Sequence, residues 1–246
     1  MSARRPLQPG YVLHHRAYRE TSALLELLTR EGGRIGAVAR GARRPRSRWR
    51  GALVPFTPLL LAFAGRGDLV TVTALEPAAR GWRLQGTVLL GGFYLNELLI
   101  RLLARHDPHP GLFDAYHQTL AALDAGEPLE ERLRVFEKQL LDEIGYGLEL
   151  TRTVDRAAPI RPGIGYRYLL GSGPTAAGGS GEGIPVSGET LLALHAGRLA
   201  GPRERREAKR LLRAALAEHL GARPLASREL LARLGQPPGE RRGARP

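Results

Sequence analysis

Cysteine is absent from the 246-residue chain, which excludes disulfide staples, thiolate nucleophiles and cysteine-based zinc sites. Lysine is nearly absent as well: Lys138 and Lys209 stand alone, and every other basic residue is arginine. The sequence holds no charge-free run of about 20 apolar residues of the kind that spans a bilayer. The opening residues, "MSARRPLQPG", lack the apolar stretch of a secretory signal. A soluble, cytoplasmic protein without membrane contact is the expectation.

Signatures of catalysis are also missing. No HExxH occurs, and "GSGEGIPVSGET" has no lysine before Thr190, so it is not a phosphate-cradling P-loop. His14 and His15 are adjacent on a predicted strand and point to opposite faces. His106, Asp107 and His109 share "HDPHP" with two prolines, the composition of a turn. Ser180, Ser187 and His195 form no nucleophile elbow. The carboxylates sit mostly at helical surfaces and helix starts rather than converging on a metal. No catalytic residue, metal ligand or cofactor is expected.

What the chain has in excess is positive charge, +13 in all. Some arginine is compositional background in a chain rich in Ala and Gly, but its placement is uneven. Residues 1 to 80 hold 14 Arg against the five acids Glu20, Glu26, Glu31, Asp68 and Glu76, a net of +9 that leaves +4 for the rest. A surplus of that size favours polyanionic partners.

The first 80 residues read as five strands: Tyr11–Tyr18, Ala23–Arg30, Arg34–Arg40, Pro58–Ala64 and Leu69–Glu76. Gly32-Gly33 and Gly65-Arg66-Gly67-Asp68 mark hairpins between them, and only "ALLELL" also suits a helix. Five short strands with the longest connection after the third match the OB-fold barrel. From Gly86 the period becomes helical, over Thr87–Arg105, Gly111–Leu123 and Pro128–Gly147. Helices return at Gly188–Gly197, Pro202–Gly221 and Ser227–Gly235, with Ser227 as an N-cap. Between Ala157 and Gly183 the pattern dissolves, and the tract at 171–183 reads as a flexible loop. The expected architecture is α+β: an OB-fold domain over 1–80, a mainly helical domain over 81–235, and a disordered tail over 236–246.

Within "RGARRPRSRWR" six guanidinium groups, Arg40, Arg43, Arg44, Arg46, Arg48 and Arg50, surround Trp49. Such a cluster must stay solvated or meet an external anion, because burying it unpaired is prohibitively costly. Arginine forks suit phosphates, and Trp49 offers a face on which an unpaired base stacks. These residues, with Arg34, are the candidate DNA-binding set. The bland alternative is an arginine-biased solvated loop with Trp49 plugged into the barrel. In "EERLRVFEKQLL", Arg132 and Arg134 flank Leu133 and Phe136, either a basic-rimmed groove for a short acidic-hydrophobic peptide or ordinary helix packing. "RERREAKRLLR", from Arg203 to Arg213, is a second basic surface.

Taken together, "YVLHHRAYRETSALLELLTREGGRIGAVARGAR", "GALVPFTPLLLAFAGRGDLVTV", "GFYLNELLIRLL", "RVFEKQLLDEIGYG" and "AKRLLRAALAEHLGARPLASRELL" closely resemble the proteobacterial form of the RecO family. The resemblance spans nearly the whole chain outside the glycine-rich tract and the tail. It implies an OB-fold followed by a helical domain, and a nucleoid-associated mediator of recombinational DNA repair. Such a protein binds single- and double-stranded DNA, anneals complementary strands, and works with RecR, and in some bacteria RecF, to help RecA replace the single-strand binding protein SSB. It further implies that the SSB C-terminal tail docks on the helical domain, with Arg134 at the family's basic position and Arg132 beside it. Many relatives carry a four-cysteine zinc site that Thr151–Gly183 cannot build. The alternatives are an RNA-binding protein or a nucleic-acid-processing enzyme whose active site is assembled from scattered acids.

Overall fold

The computed structural model describes residues 6–47, 49, 51–176 and 182–234. Arg48, Arg50, residues 177–181 and the tail after Leu234 lie outside them. The chain divides into two compact units, one of Met1–Ala125 with Pro224–Pro246 and one of Gly126–Arg223.

In the first unit, β1 (Gln8–Tyr18), β2 (Ser22–Thr29), β3 (Gly33–Ala39), β4 (Leu59–Ala64) and β5 (Leu69–Pro77) close into a barrel in the order β1-β2-β3-β5-β4. The "ALLELL" run is strand: Ala23, Leu25 and Leu27 point inward at period two, while Leu24 and Glu26 point away. Their partners inside are Val12, Ile35, Ala37, Leu61, Phe63 and Val72. Closure rests on a parallel β3–β5 seam of three registered pairs, from Gly36↔Leu69 to Val38↔Thr71. Gly33, at φ +64, starts β3 where a Cβ would stand 1.9 Å from the Asp107 carbonyl, so no other residue fits there.

Helices α1 (Gly86–Leu102) and α2 (Pro110–Asp124) complete this unit. Asn96 of α1 donates to the Leu13 carbonyl at 2.9 Å and accepts from the Tyr116 hydroxyl at 2.6 Å, so a buried polar group is satisfied across three elements. Burial pushes the Tyr11 hydroxyl up to about 12. Its oxygen accepts from Trp82 Nε1 at 3.3 Å and lies in hydrogen-bond contact with His117 Nδ1 at 2.6 Å. The N-terminus of α6 (Ala226–Leu234) is capped not by Ser227, which lies inside the helix, but by Glu97. That carboxylate accepts the Ala226 and Ser227 backbone N–H groups, both at 2.9 Å.

The second unit holds α3 (Leu129–Glu143), a three-stranded sheet, α4 (Gly188–His195) and α5 (Pro202–Leu220). Within the tract expected to be a flexible loop over 171–183, residues 173–176 are strand, and residues 177–181 lie outside the described residues. Strand β6 (Gly165–Leu169) buries Tyr166 and Tyr168 in alternation, and it pairs with β7 (Gly173–Ala176) and β8 (Ile184–Ser187). Glycine is required at the start of β7, where Gly173 sits at φ +137. Low complexity there reflects turn geometry, and the two large residues that bury the sheet come from its neighbour.

One carboxylate ties this unit together. Glu207 of α5 accepts from the Ser187 hydroxyl at 2.6 Å, the Ser187 N–H at 2.9 Å, the Thr190 hydroxyl at 2.7 Å and Arg203 Nε at 2.9 Å. Burial pushes this carboxyl up, but those hydrogen bonds outweigh it and hold it at about 2, against an ordinary 4.5. A depressed folded-state value means that the stabilisation is fully present above pH 4.5 and is lost as pH falls towards 2. Glu207→Gln therefore flattens the acid limb of the unfolding midpoint across that window. Identical limbs for the two proteins would show that the cluster contributes nothing.

Candidate nucleic-acid interface

The arginine run begins where β3 ends. Gly41, at φ +70, reverses the chain, and successive turns follow: Arg44 N–H to the Gly41 carbonyl at 3.1 Å and Ser47 N–H to the Arg44 carbonyl at 3.0 Å. The segment is also docked on the β1–β2 turn, because the Arg43 N–H donates to the Thr21 carbonyl at 2.8 Å. With these backbone groups satisfied locally, Arg43, Arg44 and Arg46 project into solvent.

Trp49 is the plug of this loop. It is 5 % exposed within the barrel core, and its indole Nε1 donates to the Arg40 carbonyl at 3.2 Å, cross-linking the two ends of the run. With so little of the ring exposed, the plug is favoured over the stacking expectation. A large apolar ring beside a barrel mouth gains more from burial than it would from solvent exposure.

Arg40, Arg43, Arg44 and Arg46 are all exposed. Among the described residues none of the four forms an ion pair. Arg40 and Arg44 line an open groove of ≈ 550 Å³ together with Arg19 from the β1–β2 turn and Val38, Val70 and Thr71 from the β3–β5 seam. Arg19 is a member that sequence reasoning missed. It stands at φ +51 with its guanidinium 5.2 Å from the Tyr18 ring centroid, and its carbonyl accepts from Arg43. Only closure of the barrel brings this turn beside a loop more than twenty residues away.

Arg34 belongs elsewhere. Its Nη1 pairs with Glu26 at 3.1 Å and its Nε donates to the Leu103 carbonyl at 3.0 Å, while Arg105 binds the other oxygen of Glu26. Arg30 is likewise paired, with Asp114 at 2.9 Å. The arginines near the β2–β3 turn thus fasten helical segments to the barrel, whereas Arg40, Arg43, Arg44 and Arg46 face solvent and form no ion pair among the described residues.

The expected groove on α3 is not open. Residues two apart on a helix point to different sides. Arg134 is 3 % exposed, with Nη2 2.7 Å from Glu137, whereas Arg132 lies between Glu127 at 3.2 Å and Glu131 at 3.0 Å. Leu133 and Phe136 are buried core. Arg134 nonetheless keeps Nε and Nη1 without hydrogen-bond partners. Among the described residues no helix is long and apolar enough to cross a membrane.

A closed five-stranded barrel of OB type, bearing an uncompensated arginine groove at its β1–β2 turn and β3–β5 seam, has the architecture of a polyanion-binding module. Residues 2–80 match the family described as "Recombination protein O N terminal", and residues 83–229 match "Recombination protein O C terminal". The chain is 51 % identical over 224 residues to the DNA repair protein RecO of Methylococcus capsulatus, covering 91 % of this chain and 92 % of that one. It is 50 % identical over 229 residues to its counterpart in Nitrosococcus oceani, covering 93 % of each. With the DNA repair protein RecO of Coxiella burnetii it shares 46 % over 231 residues, 94 % of this chain and all of that one. The chain belongs to the RecO family, and its function lies in DNA repair and recombination.

Proposed function

We propose that this chain is a recombination mediator that binds single- and double-stranded DNA through its barrel and anneals complementary strands without nucleotide. The observation that carries this reading is the groove of Arg19, Arg40 and Arg44, flanked by Arg43 and Arg46, with no ion pair to Arg40, Arg43, Arg44 or Arg46 among the described residues. Guanidinium groups neutralise phosphates and release counterions, which lowers the repulsion between two strands and lets their bases meet. Backbone contacts carry no base identity, so sequence preference is weak. The work is electrostatic scaffolding, with no covalent intermediate. On this reading the barrel unit is the DNA-binding domain and the protein associates with the nucleoid.

SSB engagement fits the same reading. The chain docks the acidic tail of SSB on its helical part, works with RecR, and with RecF in some settings, and helps RecA take over the exposed strand. Arg132 is partly exposed and offers its guanidinium to a carboxylate of the tail, whereas Arg134, buried against Glu137, takes part only if that face of α3 opens. Tail docking concentrates the barrel at SSB-covered DNA, so two modest affinities act as one stronger one. The test is annealing of complementary oligonucleotides coated with intact SSB or with SSB lacking its last residues. Annealing is faster on the intact protein; equal rates on both would remove tail docking from the account.

A further inference from the structure

The second unit carries a cationic surface of its own. On α5, Arg206, Lys209, Arg210 and Arg213 recur at helical spacing and line a shallow groove of ≈ 460 Å³ in which Ala214 is the remaining wall residue. At 100° per residue these four fall within about a third of the helix circumference. Every i,i+3 and i,i+4 neighbour among them is a like-charge pair, an arrangement that destabilises a helix unless an anion intervenes.

Among the described residues one carboxylate, Glu130, reaches this face of four cations, close to Lys209 and Arg213. Glu130 of α3 pairs with Lys209 at 2.8 Å. Glu207 is engaged with Ser187, Thr190 and Arg203 on the flank of α5. Arg210 donates to the Pro185 carbonyl, which fixes its stem without cancelling its charge. Arg206 is exposed and forms no ion pair among the described residues.

We infer that this face of α5 is a second nucleic-acid site, taking the phosphate backbone of a strand separately from the barrel groove. From Arg206 to Arg213 the helix rises roughly 10 Å, at about 1.5 Å per residue. That matches about three phosphate steps at about 3.4 Å along one strand of a duplex. The wall chemistry separates this ligand from an acidic peptide: four cations and an alanine offer charge for phosphates but no apolar pocket to anchor a side chain. Two phosphate-binding surfaces in one chain would let it hold two strands at once, a capacity beyond the barrel's own DNA binding, although the inference rests on this chain being a DNA binder.

The test counts sites. A short single-stranded oligonucleotide of about 12 nucleotides, within the span that one OB barrel covers, is titrated at low salt into the full chain. Two binding events are expected for the wild type. Arg206→Ala/Arg210→Ala/Arg213→Ala should lose one, and Arg40→Ala/Arg43→Ala/Arg44→Ala/Arg46→Ala should lose the other. Alanine favours helix, and the glutamine triple variant, with unchanged circular dichroism, guards against a fold defect. Two events retained by both triple variants would overturn the inference and leave the barrel reading intact. Retention of both events by the quadruple variant would instead count against the barrel.

Discussion

Arg40→Ala/Arg43→Ala/Arg44→Ala/Arg46→Ala loses on the order of a hundredfold in affinity of the barrel site for single-stranded DNA at about 0.1 M salt, and its annealing rate falls with it. The expectation follows from the local chemistry. Among the described residues none of the four side chains supports the fold through an ion pair, all four are exposed, and the loop backbone is held by its own turns and by Thr21. Their removal therefore takes away phosphate partners and leaves the barrel standing. Equilibrium binding together with thermal unfolding checks both halves: affinity drops while the unfolding midpoint stays put. A variant that keeps wild-type affinity would return the arginines to solvated decoration.

Trp49→Ala has the opposite character. Truncating a buried tryptophan typically costs about 3–5 kcal/mol, and here it also removes the Nε1 bond to Arg40 that closes the arginine loop. Stability and DNA affinity should therefore fall together. Trp49→Phe separates the causes. It keeps most of the apolar burial but gives up a hydrogen bond worth about 0.5–1.5 kcal/mol, so stability is largely recovered while the loop is less well held. If Trp49→Ala left stability untouched and reduced only binding, the ring would be a stacking group after all. Denaturant unfolding and oligonucleotide binding on the same preparations decide it.

The barrel was legible because its strands alternate at period two and glycine marks their ends. The run of arginines was legible as charge. Which arginines face outward was not, because that depends on partners distant in sequence. Arg34 is claimed by Glu26 and by the Leu103 carbonyl just after α1, and Arg19 joins the groove only once the barrel closes. Trp49 shows the limit of motif reasoning: an aromatic among cations reads as a stacking platform, yet burial of its ring in the core decides its place. In the second unit, helical periodicity located α3 but not the depth of Arg134, which an ion pair with Glu137 allows to be buried. The β6–β7–β8 sheet was hidden because β7, Gly-Pro-Thr-Ala, carries little side chain to report its pairing. The cap of α6 by Glu97, a residue more than a hundred positions away, leaves no local signal at all.

The central claim is that exposed, uncompensated arginines after β3 bind phosphates, and the salt dependence of binding reads that directly. Each phosphate contact to a single strand contributes roughly 0.7 to the slope of log K against log salt. The measurement is the affinity of an unstructured oligonucleotide across a salt series for the wild type and for the Arg40, Arg43, Arg44 and Arg46 alanine variant. The account predicts a slope shallower by about three in the variant. Superimposable slopes would contradict it.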